Sequence, residues 1–178
     1  CLLVSERIHR LMVIVPSDAL RRQIGMKFAK LDVLKAAGLV PPDLLHPTVA
    51  IMSKGLKTTE QIDELVAEAH VIVATMALIS KMPADLRAYL AAAMSHLFVD
   101  EAHHIGANTW RDFKALFGNK MILQFTATPF RNDGLRLDGK FIYVYPLRQA
   151  QKDKLFTAID YVPINTHGEA DIDRQIAM

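Results

Sequence analysis

The length and composition indicate one globular domain with a sizeable hydrophobic core. The chain has 178 residues, 51% of them hydrophobic, and its formal net charge is only +2. Such a charge does not by itself argue for a nucleic-acid partner, so any site of that kind must be local. The single cysteine, Cys1, excludes an internal disulfide and fits a cytoplasmic protein. No membrane partner is expected, because the early apolar run at residues 11–15 is too short to span a bilayer.

In the first half of the chain, short apolar runs alternate with helical patterns. The run at residues 11–15 has strand length and is ended by Pro16. Ser17 and Asp18 can cap a helix predicted over residues 19–37, which Gly38 would end. A strand at 48–52, a short helix opening near Thr58 and a buried strand at 71–75 follow.

The second half continues the alternation and sets the predicted fold class. A helix is predicted from Pro83 through Met94, followed by strands at 97–99, 121–125 and 141–145. Continuous apolar strands between helices predict a mainly parallel sheet covered on both faces, a three-layer α/β sandwich. Residues 165–178 are polar and are predicted to be a linker.

The polar residues at the strand ends are the candidates for function, because open parallel sheets bind ligands beyond the carboxyl ends of their strands. The sharpest candidate is the pair Asp100-Glu101. The first acid can hold a magnesium ion, usually through water, while the second can polarise an attacking water. For the pair considered alone, two solvated carboxylates at a strand end would be the better interpretation.

The wider context resembles a known family of motors. The segment Asp100-Glu101-Ala102-His103 resembles motif II of DEAD/DEAH-type helicases of superfamily 2, and Thr126-Ala127-Thr128-Pro129 resembles motif III. The resemblance implies a first RecA-like motor domain of the P-loop NTPase type, with ATP and Mg²⁺ as cofactors. It further implies that Asp100 coordinates magnesium, that Glu101 activates water, and that His103 links the nucleotide state to motif III. The change of nucleotide state would be coupled to nucleic-acid binding by the motif III residues Thr126, Ala127 and Thr128.

Two weaker matches predict where nucleic acid is held. Residues 13–23 resemble motif Ia and residues 71–76 resemble motif Ib, which in the family contact the phosphate backbone. The implied contact residues are Pro16, Ser17, Arg21 and Thr75, and a loop arginine, Arg131, is a further candidate. Helix N-termini and hydroxyl groups suit phosphate oxygens and carry no base code. The alternatives are a simple helix cap for Ser17 and a solvated arginine for Arg131.

The segment from Thr128 to Leu147 resembles helicases related to restriction-enzyme motor subunits and DNA-repair translocases. This likeness favours DNA, bound without sequence preference, as the partner. It leaves open a translocating restriction subunit linked to a nuclease. A second class of function is a non-catalytic module, derived from a helicase domain, that only binds nucleic acid or a partner.

The sequence contains no Gly-x-x-x-x-Gly-Lys phosphate loop. We expect that loop upstream of Cys1, and we expect a second motor domain after the chain. Residues 1–164 are therefore predicted to be a RecA-like domain incomplete at its N-terminus, without ATP hydrolysis of its own. Because the family strand that precedes the loop lies beside the motif III strand, residues 121–125 are expected to form an open apolar edge, through which the chain could self-associate.

Two further patterns are assigned to structure, not to ligands. His103 and His104 beside the two acids could suggest a metal cluster, but residues that alternate outward from one strand end cannot all converge on an ion. Phe113 and Phe117, with Trp110 nearby, could suggest a platform for base stacking. Their helical spacing favours a place in the core.

Overall fold

The computed structural model describes residues 8–101, 107–127 and 139–155. The chain divides into two compact units, residues 1–137 and residues 138–178. The predicted linker at 165–178 lies outside the described residues, so the predicted boundary after residue 164 stays a prediction.

The first unit is built on a five-stranded sheet whose strands all run in parallel. The strand order is β2-β3-β1-β4-β5. The strands are β1 (Leu11–Val15), β2 (Val49–Ile51), β3 (Val71–Thr75), β4 (His96–Asp100) and β5 (Met121–Phe125). The mainly parallel α/β sheet predicted from the apolar runs is thereby confirmed.

Helices connect the strands and cover the sheet. In chain order they are α1 (Asp18–Lys30), α2 (Asp32–Ala36), α3 (Thr59–Glu68), α4 (Met76–Ser80), α5 (Ala84–Ala93), α6 (Ala107–Ala115) and, in the second unit, α7 (Leu147–Lys152). None of the helices in the described ranges is long and apolar enough to cross a membrane.

Both faces of the sheet are buried, which explains why its central strands are apolar without interruption. Side chains of successive strand residues point to opposite faces. On one face, Val13 and Val15 belong to a core cluster that receives Leu20, Ile24 and Phe28 of α1. On the other face, a larger cluster joins alternate residues of β1, β3 and β4 to α3, α4, α5 and α6. This cluster contains Phe113 and Phe117, so the core assignment of these two phenylalanines is confirmed; the side chain of Trp110 lies outside the description.

Helix α1 lies unusually close to the sheet at Gly25. A Cβ atom at this position would lie 2.5 Å from Cδ1 of Ile51 in β2, which is too short for any carbon pair. The missing side chain therefore allows the helix to pack against the sheet, and this packing positions its N-terminus.

The prediction of one continuous helix over residues 19–37 is wrong, because the helix is interrupted at Leu31. This residue takes a left-handed backbone conformation with φ 53° and separates α1 from α2. Next to it, Asp32 accepts a hydrogen bond from the backbone N–H of Val33 at 2.9 Å. Such local bonds from aspartate compete with helix continuation, and the helical periodicity does not reveal them.

The predicted strand at residues 141–145 is also wrong, because these residues form no strand in the second unit. Their sequence has strand character, but a strand needs a neighbour to complete its hydrogen bonds. The short helix α4 was not predicted, since its five residues are too few to show a period.

Candidate functional site

The register of the parallel strands brings the ends of four strands to one level. Val15 pairs with Thr75, Ile14 pairs with Val99, and Asp100 pairs with Phe125. Across the sheet the order at this level is therefore Thr75, Val15, Asp100, Phe125, with neighbouring strands about 4.8 Å apart. The residues that follow these strand ends emerge at the same edge, where parallel sheets bind ligands.

Asp100 is the last residue of β4 and lies half-buried at this edge. Burial raises the pKa of its carboxyl group above the ordinary value of 3.8, and the negative charge of Glu101 raises this pKa further. A hydrogen bond from the Glu101 backbone opposes the change. The carboxylate is thus held where its ionised form lacks full solvation, and a cation at this edge would relieve that cost.

Glu101, which directly follows β4, has an unusual backbone conformation. Its φ is 49°, in the left-handed region that residues other than glycine seldom adopt. Such a conformation costs about 1–2 kcal/mol, and costs of this kind cluster at functional sites.

The N-terminus of α1 follows β1 at the same edge. Ser17 is exposed, and its Oγ accepts a hydrogen bond from the backbone N–H of Leu20 at 3.3 Å. The helix-cap interpretation of Ser17 is therefore confirmed, and the residue before it, Pro16, is also exposed. A capped, solvent-facing helix start is a suitable place for an anion.

Arg21 lies one turn into α1, and its backbone N–H donates to the carbonyl of Ser17 at 2.9 Å. Although it is charged, only 7% of this residue is exposed. Its Nη1 lies 3.3 Å from Oδ1 of Asp18, whose side chain is 71% exposed. Within the described residues its buried Nε has no hydrogen-bond partner. The positive charge is therefore fixed close to the helix start and is only partly compensated.

The remaining predicted residues divide into described and undescribed ones. Thr75 is buried, and its Oγ accepts from the backbone N–H of Leu78 at 3.3 Å, so the hydroxyl caps α4. Thr126 and Ala127 directly follow β5 and are half-buried and exposed, respectively. Ala102, His103, His104, Thr128, Pro129 and Arg131 lie outside the described residues.

A cavity on the sheet face that α1 does not cover was not predicted from the sequence. The cavity has a volume of about 340 Å³ and lies between α4, α5 and α6, where Arg87, Thr109 and Asp112 are among its polar lining residues. No motif marks it, because its residues come from three helices and become neighbours only in the folded chain.

The donor atoms at the edge fit magnesium better than a fully protein-bound metal. Among the described residues, no group of three or more histidine, cysteine or acidic side chains could hold a metal ion. Magnesium usually binds one or two carboxylates and takes its other ligands from phosphates and water. The hard oxygens of Asp100, with Glu101 beside it, match that requirement.

An all-parallel sheet between helical layers, with an acidic pair after β4 and a capped helix after β1, is the architecture of a RecA-like motor domain. The model of the family described as "Type III restriction enzyme, res subunit" matches residues 2–131. This match spans more than half of the chain, and the chain therefore belongs to this family, whose domain is of the superfamily 2 helicase type. Every predicted site residue lies within the matched span. No curated protein matched the chain.

The raised pKa of Asp100 predicts how the stability of the fold depends on pH. Because the pKa is raised in the folded chain, its stabilising contribution is present below the unfolded-state pKa and is lost as pH rises through the folded-state value. At neutral pH the ionised carboxylate thus destabilises the fold. We expect Asp100→Asn to raise the melting temperature at pH 7 by roughly 1–2 °C, and we expect this gain to shrink as the pH approaches the ordinary carboxyl range.

The matched control is Asp43→Asn, which removes the same charge from an exposed loop residue. Thermal melts followed by circular dichroism at several pH values provide the measurement. A lower melting temperature for Asp100→Asn than for the unmodified chain at pH 7 would contradict the argument.

Proposed function

We propose that this chain supplies the hydrolysis and coupling half of an ATP-dependent DNA helicase or translocase motor. The family establishes a helicase-like, ATP-dependent motor domain in general terms. The observation that carries the specific proposal is the common level of Asp100 and the β5 end, with the α1 N-terminus following the adjacent strand. In this arrangement a chemical site and a grip on nucleic acid share one edge of the sheet.

The proposed roles follow from the position of each residue. Asp100, half-buried at the strand end, would hold a magnesium ion through water and orient it toward the phosphates. Glu101, the next residue, would accept a proton from the attacking water and align it. His103 would contact motif III, whose residues Thr126, Ala127 and Thr128 come after β5 in the chain and would transmit the nucleotide state. ATP with Mg²⁺, when bound, supplies the phosphoanhydride bond whose hydrolysis drives the motor.

The proposed nucleic-acid grip uses charge and helix geometry and does not read bases. Exposed Pro16 and Ser17 present the start of α1, and the charge of Arg21 lies close to it. The exposed carboxylate of Asp18 contacts Arg21 where a phosphate oxygen would fit, so a DNA phosphate could displace it. Thr75 supports this surface through its cap on α4, and Arg131 would add a contact from the loop after β5.

The proposed motor needs two further parts for turnover. A phosphate-gripping loop and a second motor domain must meet Asp100 and Glu101 for turnover, since the sequence contains no such loop. The proposed location is the cytoplasm.

The missing loop predicts that the 178-residue chain alone binds ATP poorly. Backbone N–H groups and a lysine of that loop normally provide the hold on the triphosphate. We expect a dissociation constant for Mg-ATP on the order of 1 mM or weaker in isothermal titration calorimetry, with Mg²⁺ alone as the reference titration. A micromolar dissociation constant for Mg-ATP would contradict this prediction.

In the complete motor, Glu101→Gln should stop hydrolysis while leaving ATP binding intact. The amide keeps the size of the side chain but cannot accept the proton of water, so turnover should fall at least about 100-fold. Steady-state ATPase rates and filter binding of ATP measure the two effects. The control Glu64→Gln removes an exposed acid from α3 and should change neither. A wild-type rate for Glu101→Gln would refute its role.

DNA binding by this chain should depend steeply on salt and on Arg21. We expect Arg21→Gln to weaken affinity for a random-sequence duplex and to reduce the slope of log affinity against log salt by about 1. Fluorescence anisotropy titrations measure both quantities, and thermal melts show whether the variant stays folded. Lys30→Gln removes a charge from the opposite end of α1 and should preserve the slope. Equal effects of the two substitutions would argue against a grip at the α1 N-terminus.

A further inference from the structure

The cavity between α4, α5 and α6 has an apolar inner end. Its volume of about 340 Å³ lies within the range of about 300–1,000 Å³ that is typical of small-ligand pockets. Among the residues that line it, Ile79 of α4 is fully buried and Phe113 of α6 is only 4% exposed. Both belong to the larger core cluster of the sheet. The inner end therefore suits an aromatic or large aliphatic group, whose transfer out of water is favourable.

A positive charge lies at the side of the cavity. Arg87 of α5 is half-buried and lines the cavity. Its Nη1 donates a hydrogen bond to the backbone carbonyl of Ser80 at 3.2 Å, which holds the guanidinium at the end of α4. A guanidinium has five N–H donors in a fixed plane, so this bond leaves others for a carboxylate.

A negative charge from another helix lines the same cavity. Asp112 of α6 is exposed, as is Thr109, which lies one helical turn before it on the same face. Within the described residues the Asp112 carboxylate accepts no hydrogen bond and forms no ion pair with Arg87. The open end of the cavity therefore presents a cation and an anion that do not neutralise each other, above an apolar inner end.

We propose that this cavity binds a free α-amino acid with an aromatic or large aliphatic side chain. The carboxylate of the amino acid accepts hydrogen bonds from Arg87, and its ammonium group donates to Asp112. Its side chain occupies the inner end of the cavity, next to Ile79 and Phe113. Hydrogen bonds between ionised groups are stronger than those between neutral ones, so the two charged contacts fix the orientation of the ligand.

A doubly charged ligand fits this cavity better than an apolar or singly charged one. An apolar molecule would remove water from Arg87 and Asp112 without replacing the lost hydrogen bonds, and a molecule with one charge would leave one of them in that condition. The inference goes beyond the proposed motor function and does not rest on it. The cavity lies on the sheet face that α1 does not cover, and binding is measured without nucleotide or DNA.

NMR titration of the 178-residue chain with L-phenylalanine tests the proposal. The methyl groups of Ile79 report on the cavity, while those of Ile62, which is equally buried but does not line it, serve as the reference. We expect the Ile79 signals to shift with a dissociation constant on the order of 1 mM, and we expect those of Ile62 to stay. The analogues 3-phenylpropionate and phenethylamine each carry one of the two charges and should bind at least about tenfold more weakly.

Substitutions should separate the two charged contacts. Arg87→Gln should weaken phenylalanine binding at least about tenfold and leave phenethylamine binding unchanged, and Asp112→Asn should do the same with 3-phenylpropionate as the unaffected ligand. Ala84→Leu narrows the cavity without a change of charge and should weaken all three ligands. The controls Arg22→Gln and Asp85→Asn remove exposed charges that do not line the cavity and should have no effect. Thermal melts show whether each variant stays folded.

Three results would overturn the proposal. The first is an Ile79 signal that does not move when phenylalanine reaches about ten times the expected dissociation constant. The second is an equal affinity of the three ligands, since this would indicate apolar contact alone. The third is an equal loss of binding in Asp85→Asn and Asp112→Asn, since this would indicate an effect of net charge. The comparison of ligands needs only the unmodified chain, so it decides the matter even where a variant fails to fold.

Discussion

The parallel pairing of β4 between β1 and β5 is the constraint on which the rest of the structure depends. This pairing places Asp100 at the level of Val15 and Phe125 and buries the strand that carries it. The edge-to-face contact of Phe98 and Phe125, with ring centres 5.6 Å apart, adds side-chain packing between β4 and β5. Because the strands run in one direction, the residues after them converge on one edge, and chemistry and nucleic-acid grip can share it.

Three charged residues at this edge have an environment or a backbone conformation that is unfavourable in the isolated fold. Burial raises the pKa of Asp100, Glu101 adopts a left-handed backbone, and Arg21 is almost completely buried beside the exposed Asp18. These arrangements have an explanation if phosphates and a cation bind at the site, because ligand binding would then offset their cost in folding stability.

Much of the sheet could be predicted, because a strand buried on both faces must be apolar along its whole length. The strands β1 and β3 are buried throughout and satisfy this rule. The strands β4 and β5 are only partly buried and were predicted from their apolar runs alone. The rule failed for residues 141–145, since composition shows the capacity to form a strand but not the presence of a neighbour. It also failed at Leu31, where a local turn overrides helical periodicity. The cap on α4 and the burial of Arg21 depend on contacts that no sequence period records.

The amino-acid sequence by itself determined the class of fold and the candidate chemistry. Apolar runs define the strands, and the acids and hydroxyl residues after them identify the motor family through short motifs. Only the tertiary structure decided which strand ends share a level, that Arg21 lies buried near the α1 N-terminus, and that β5 ends the described sheet. The physical reason is that strand order and register arise from packing between distant segments, whereas a motif is a property of adjacent residues.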